Sequence, residues 1–225
     1  MMSYQAIIAR EVILQWLTLL RIVNAGLFFL MVLVLFPLGF EANPILLKKI
    51  LPGLVWIAAL FSFFLGAEAI FQQENEDGVL EQWLLSAVPM HMRIRIKLCI
   101  HWLSLIIFLM CVCFLIALLF DLNGIELGVL ILSLVCGTPT LYALCAFSAA
   151  FGLGLNNQGL FSALIVLPLM LPVIIFGGGV LTLAIQGLPV SGHLAWLLAM
   201  SILSFWGLPY AISAVIRIGV ADVSR

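Results

Sequence analysis

The side chains able to do chemistry are few, and most stand in one stretch. Phe71 to Lys97, FQQENEDGVLEQWLLSAVPMHMRIRIK, holds Glu74, Glu76, Asp77, Glu81, Arg93, Arg95 and Lys97, with Glu68 just before it. Between the acids and the bases, Val79, Leu80, Trp83, Leu84, Ala87 and Val88 recur at helical spacing. Glu81, Gln82 and Ser86 fall on the opposite face. Asp77 is expected to cap the start of this helix, Gly78 to allow a tight turn into it, and Pro89 to stop it. Such an amphipathic helix either rests on lipid headgroups or docks on a soluble partner. Neither use makes or breaks a covalent bond.

Signatures of catalysis are missing elsewhere. No GxxxxGK[ST] occurs, so the chain has no P-loop for ATP. Gly152, Gly154 and Gly159 do not follow a strand and are no dinucleotide fingerprint. No two carboxylates share an apolar run. Glu68 is the acid nearest a span interior, and it is expected at the water boundary because Gln72, Gln73 and Glu74 follow one turn later. His91 and His101 flank the start of one apolar run and His193 opens another. A neutral imidazole can ligate haem iron, but Trp56, Trp102, Trp196 and Trp206 are scattered and suggest no aromatic platform around one. Cys99, Cys111, Cys113, Cys136 and Cys145 all lie in apolar runs without CxxC spacing. Packed thiols are expected there, with neither a redox pair nor a metal site.

Composition says what must position these residues. Of 225 residues, 65% are hydrophobic and 8% charged, too much apolar surface for a water-soluble domain to hide. The net charge of −1 leaves no basic face for nucleic acid. A bilayer-crossing helix needs about 20 residues. Apolar runs predict six spans, at about 22–40, 50–70, 98–120, 127–151, 159–185 and 193–216. The uncharged run 127–216 is divided at Asn156–Gln158 and at Gln186–His193. A loop over 71–97 separates the second and third spans, and the whole of 1–225 forms one membrane domain. The 22–40 run is too long for an ordinary signal peptide and lacks a small-residue cleavage site. Before it, residues 3–20 predict an interfacial helix, with Arg10, Glu11, Gln15 and Thr18 as the polar stripe and Ile7, Ile8, Val12, Trp16 and Leu19 opposing it.

Orientation follows from Lys and Arg in the short flanks. Arg10, Arg21, Arg93, Arg95, Lys97, Arg217 and Arg225 fall on one side, against Lys48 and Lys49 on the other. Both termini and the 71–97 loop are therefore expected in the cytosol. Two spans carry helix breakers: Pro139 in the fourth, and Pro168, Pro172 and Gly177 to Gly179 in the fifth. Each proline removes a backbone hydrogen bond, which predicts helix breaks or hinges, or else static kinks.

The stretch EDGVLEQWLLSAVP resembles the loop between spans two and three of ABC-2 type (type V exporter-like) permeases. There a run E-x-G-x-L-E-x-L followed by proline forms the coupling helix that docks on an ATPase. The resemblance assigns that role to Glu76, Asp77, Gly78, Leu80, Glu81, Trp83, Leu84 and Pro89. The pieces GTPTL (Gly137 to Leu141) and LPLMLPVIIFG (Leu167 to Gly177) are similar to the haem exporter protein B family, CcmB, of system I cytochrome c maturation. With the loop, the likeness covers most of residues 1–220. Trp83 stands where leucine is usual and Met170 where an aromatic residue is common. The resemblance implies a bacterial inner-membrane subunit partnered by the ATPase CcmA and the membrane proteins CcmC and CcmD, serving haem delivery to the chaperone CcmE. ATP would belong to the partner subunit and haem to the complex. With no ligand pair for iron in any span, transmission of ATP-driven motion is expected in preference to passage of haem through this chain. The alternative is an ABC-2 permease for a lipid-linked or other hydrophobic substrate.

Overall fold

A computed structural model describes residues 4–17, 19–39, 44–67, 70–84, 86, 88–153 and 159–223. These residues are helical almost throughout: α1 (Tyr4–Leu17), α2 (Leu19–Gly39), α3 (Pro44–Ala67), α4 (Gln72–Glu76), α5 (Val79–Leu84), α6 (Met90–Leu119), α7 (Gly124–Gly152), α8 (Gly159–Ile185) and α9 (Ser191–Val223). Six of them, α2, α3, α6, α7, α8 and α9, include stretches long and apolar enough to cross a membrane. In hydrocarbon each backbone N–H and C=O needs a partner from its own segment, and the helix supplies it. The chain is an all-α, multi-pass integral membrane protein.

α7 is the central post, packed against α3, α6, α8 and α9. Its Leu130, Leu134, Leu141, Tyr142 and Ala146 are buried, while α2, α6 and α9 turn Met31, Ile107, Phe114, Ile202 and Leu203 outward. An outward apolar face is the stable one when the solvent is lipid.

Several helices depart from the expected bounds. α6 begins at Met90, so Arg93, Arg95 and Lys97 stand on a helix and the loop ends at Pro89. At 30 residues α6 is about 45 Å long, against a hydrocarbon core of about 30 Å, so its charged first turns extend past the oil. α3 starts at Pro44 and carries Lys48 and Lys49, and α9 continues through Arg217 to Val223. The expected breaks at Pro139, Pro168 and Pro172 are not breaks, since α7 and α8 run through them as helix. α1 also differs from its reading. Ile7, Glu11 and Gln15 are buried, whereas Ile8, Val12 and Ile13 are exposed, so the polar stripe faces the protein. Lipid reverses the aqueous rule, because a charge on the oily side has no partner. Glu68, Ala87, Gly154, Asn156, Asn157, Gln158, Arg225 and Thr18, and the side chains of Trp16, Leu19 and Arg21, lie outside the described residues.

Candidate coupling site

The polar stretch folds as two short helices around a tight apex. α4 closes at Asp77, whose N–H donates to Gln73 O at 3.0 Å, and Gly78 N–H donates to Asn75 O at 3.2 Å. Gly78 has φ +66°, the left-handed conformation that glycine adopts without a Cβ clash. Asp77 therefore closes α4, correcting its expected place as the N-cap of the next helix. α5 ends at Leu84 rather than at Pro89. Ser86 explains the early stop: its Oγ donates to Trp83 O at 3.0 Å and approaches Val88 O at 2.9 Å, competing with helical bonding. Pro89, with φ −57° and ψ 136°, then precedes the first turn of α6.

The faces of α5 also differ from expectation. Leu80 and Trp83 are 2% and 3% exposed, seated within this chain's own core with α5 against α9. They do not form an open stripe with Leu84, which is 39% exposed. What the apex leaves open is Glu76, Asp77, Gly78, Glu81, Gln82 and Leu84, an acidic ridge with one apolar side chain.

Beneath the ridge lies a buried ionic cluster. Lys97 of α6 holds Glu74 of α4 in a short ion pair and Glu11 of α1 at 3.4 Å. Glu11, Glu74 and Lys97 are 2%, 4% and 3% exposed. Arg10 approaches Glu11 at 3.4 Å from the half-exposed side, and Arg93 stands within electrostatic reach of both, so the two carboxylates face three cations. Single-residue patterning missed this cluster. The available signal was the polar stripe of Arg10, Glu11 and Gln15 on an otherwise largely apolar helix.

A second clamp ties the start of α6 to α9. The Arg95 guanidinium lies 4.4 Å over the Trp206 ring and donates to Trp206 O at 3.4 Å. His91 stacks on Tyr210 with ring centroids 4.3 Å apart. Cation–π and stacking contacts suit a boundary where one ring face is wet.

The GTPTL piece joins the bundle. Trp102 Nε1 of α6 donates to Thr138 Oγ1 at 3.0 Å, and Thr138 in turn donates to Leu134 O. Thr140 shares a 3.1 Å hydrogen bond with Ser201 of α9, which also reaches Cys136 O. Gly137 and, across in α8, Gly177 border the buried Trp56 ring of α3, and a methyl group at either would overlap it. Gly177 is thus a socket for Trp56 within a continuous helix, not a break.

At the opposite end of the bundle, Asn123 and Glu126 form a capping box on α7, and Glu126 also pairs with Lys48 of α3 at 3.0 Å. His193 packs its ring edge toward Gly179 and lies 5.4 Å from Phe176, which stacks on Trp196 at 5.3 Å. That ring edge is turned into α8, an arrangement that serves helix packing. All five cysteines are free thiols.

A family model described as CcmB protein matches residues 2–219. The Heme exporter protein B of Pseudomonas aeruginosa is 40% identical over 97% of this chain and 98% of its own length. That of Haemophilus influenzae is 38% identical over 97% and 99%. That of Escherichia coli strain K12 is 35% identical over 89% and 91%.

Proposed function

Because this chain belongs to the CcmB family, we propose that it is the membrane subunit of an ABC-type complex for haem export in cytochrome c maturation. In this reading a separate ATPase subunit, CcmA, hydrolyses ATP. CcmC and CcmD complete the membrane part, and the loaded chaperone CcmE is released on the outer face. The chain sits in the bacterial inner membrane with both termini and the α4–α5 apex in the cytosol. It transmits motion and is not itself an enzyme.

The observation that carries the reading is the exposed ridge of Glu76, Asp77, Glu81, Gln82 and Leu84 on a loop attached to α1, α6 and α9. A force applied to that ridge has a path into the spans. Charge complementarity favours a basic groove on the partner around one apolar contact from Leu84. The test is co-purification of the ATPase with Leu84→Asp and Glu81→Lys chains, alongside cytochrome c yield. Both substitutions lie on an exposed face, so the protein is expected at normal level in the membrane. Leu84→Asp forces a charge into a desolvated contact and is expected to remove most of the associated ATPase. Full association in both variants would sink the docking role of this apex.

A further inference from the structure

We propose that Lys97 is a positioning residue for coupling: it clasps α4 to α1 and α6, so that a displacement of the apex moves all three together. The inference rests on the coupling reading and adds the residues that carry the motion inward.

The geometry comes from three distant segments. Glu11 is on the first helix, Glu74 on the loop and Lys97 on the third long helix, and the ammonium touches both carboxylates. The cluster lies just inward of the ridge, because Glu74 and Glu76 share α4 while Glu76 is exposed. The attachments of the loop are of two chemical kinds. α5 is held to α9 through buried apolar side chains, and α4 is seated at its start by buried Ile70 and Phe71 and tied to α6 and α1 through charge. Apolar packing tolerates sliding. An ammonium between two carboxylates fixes direction, because any separation leaves a buried charge alone.

Stability alone does not favour this choice. Desolvating three charges is costly, and apolar residues of equal volume often hold such a site equally well. What the ions add is a fixed register between three segments that are distant in sequence, two of which, α1 and α6, also pack together. Arg10 joins Glu11 from the open side of the cluster, with Arg93 nearby.

The variants separate transmission from mere structure. Glu74→Ala cuts α4 from the clasp and leaves Lys97 paired with Glu11. The double substitution Glu74→Gln with Lys97→Met removes one charge of each sign. Lys97→Arg keeps the cation. Each is expressed with the full complex, and chain abundance, co-purified ATPase and cytochrome c yield are measured. The double variant is expected at normal abundance with ATPase bound, but with yield lowered about tenfold, the size of an ordinary coupling between sites. Glu74→Ala is expected to lose abundance but to lose yield by about tenfold more. Lys97→Arg is expected to retain yield. Wild-type yield from either cut variant at normal abundance overturns the inference. So does a yield that falls only in proportion to abundance in both. Absence of ATPase from the wild-type complex would overturn the coupling reading itself, a different result from either.

Discussion

Trp83 and Leu84 are chain neighbours with opposite surroundings, one in this protein's core and one open. They should therefore fail differently. Trp83→Ala empties a packed site, and loss of a core tryptophan costs about 3–5 kcal/mol. It is expected to lower the melting temperature and abundance of the detergent-solubilised chain, with ATPase association falling only as the chain itself is lost. Unchanged thermal stability would mean that Trp83 is not an anchor. Helical spacing alone picks out both residues as one apolar stripe, since a stripe bound for a partner and a stripe bound for the chain's own core obey one period. Only α9, brought alongside by the fold, decides between them. Glu76, Asp77 and Glu81 stay in water, as a polar stretch predicts, whereas Glu74 in the same run is buried against Lys97 from α6, which no local pattern indicates.

At the scale of elements, apolar runs located the long helices because hydrocarbon admits few charges. Charge is a poor guide to where a helix ends, however. α6 continues through Lys97, Arg95 and Arg93 to Met90, since those residues are compatible with helix and reach beyond the oil. Proline misled in the opposite direction. Pro139 removes the N–H that would bond Val135 O, yet α7 continues, held on either side by Thr138 to Trp102 and Thr140 to Ser201. Pro139→Ala is thus expected to leave thermal stability in detergent nearly unchanged. Thr138→Val and Thr140→Val should each lower it by about 0.6 kcal/mol, an ordinary value for a hydrogen bond between membrane helices. Strong loss of maturation in Pro139→Ala at normal stability would restore a hinge at that position.

For the whole molecule, the cation count makes an orientation testable. Reporter fusions at Gly78 should read cytosolic, and fusions at Asn123 and Gly187 external; an external reading at Gly78 would invert the scheme. The long-range pairings were not legible at all. Glu11 and Lys97 stand 86 residues apart, and nothing in either neighbourhood names the other. Chain order nonetheless suits these pairings to synthesis from the N-terminus. Ser104, Ser133, Thr138, Thr182 and Ser204 donate to carbonyls of their own helices, so those hydroxyls can enter lipid before any neighbour has emerged. Ser62 and Ser201 do reach across, to Ala25 O and Cys136 O, and both acceptors lie on helices made earlier. Lys97 likewise meets two carboxylates already synthesised. Among these described groups the Trp102 indole and the Thr140 hydroxyl are the ones that wait in the membrane, the first for Thr138 on the next span and the second for Ser201 on the last. A nascent chain with this arrangement could be released into the bilayer one helix at a time, rather than held at the insertion machinery until the last span is complete.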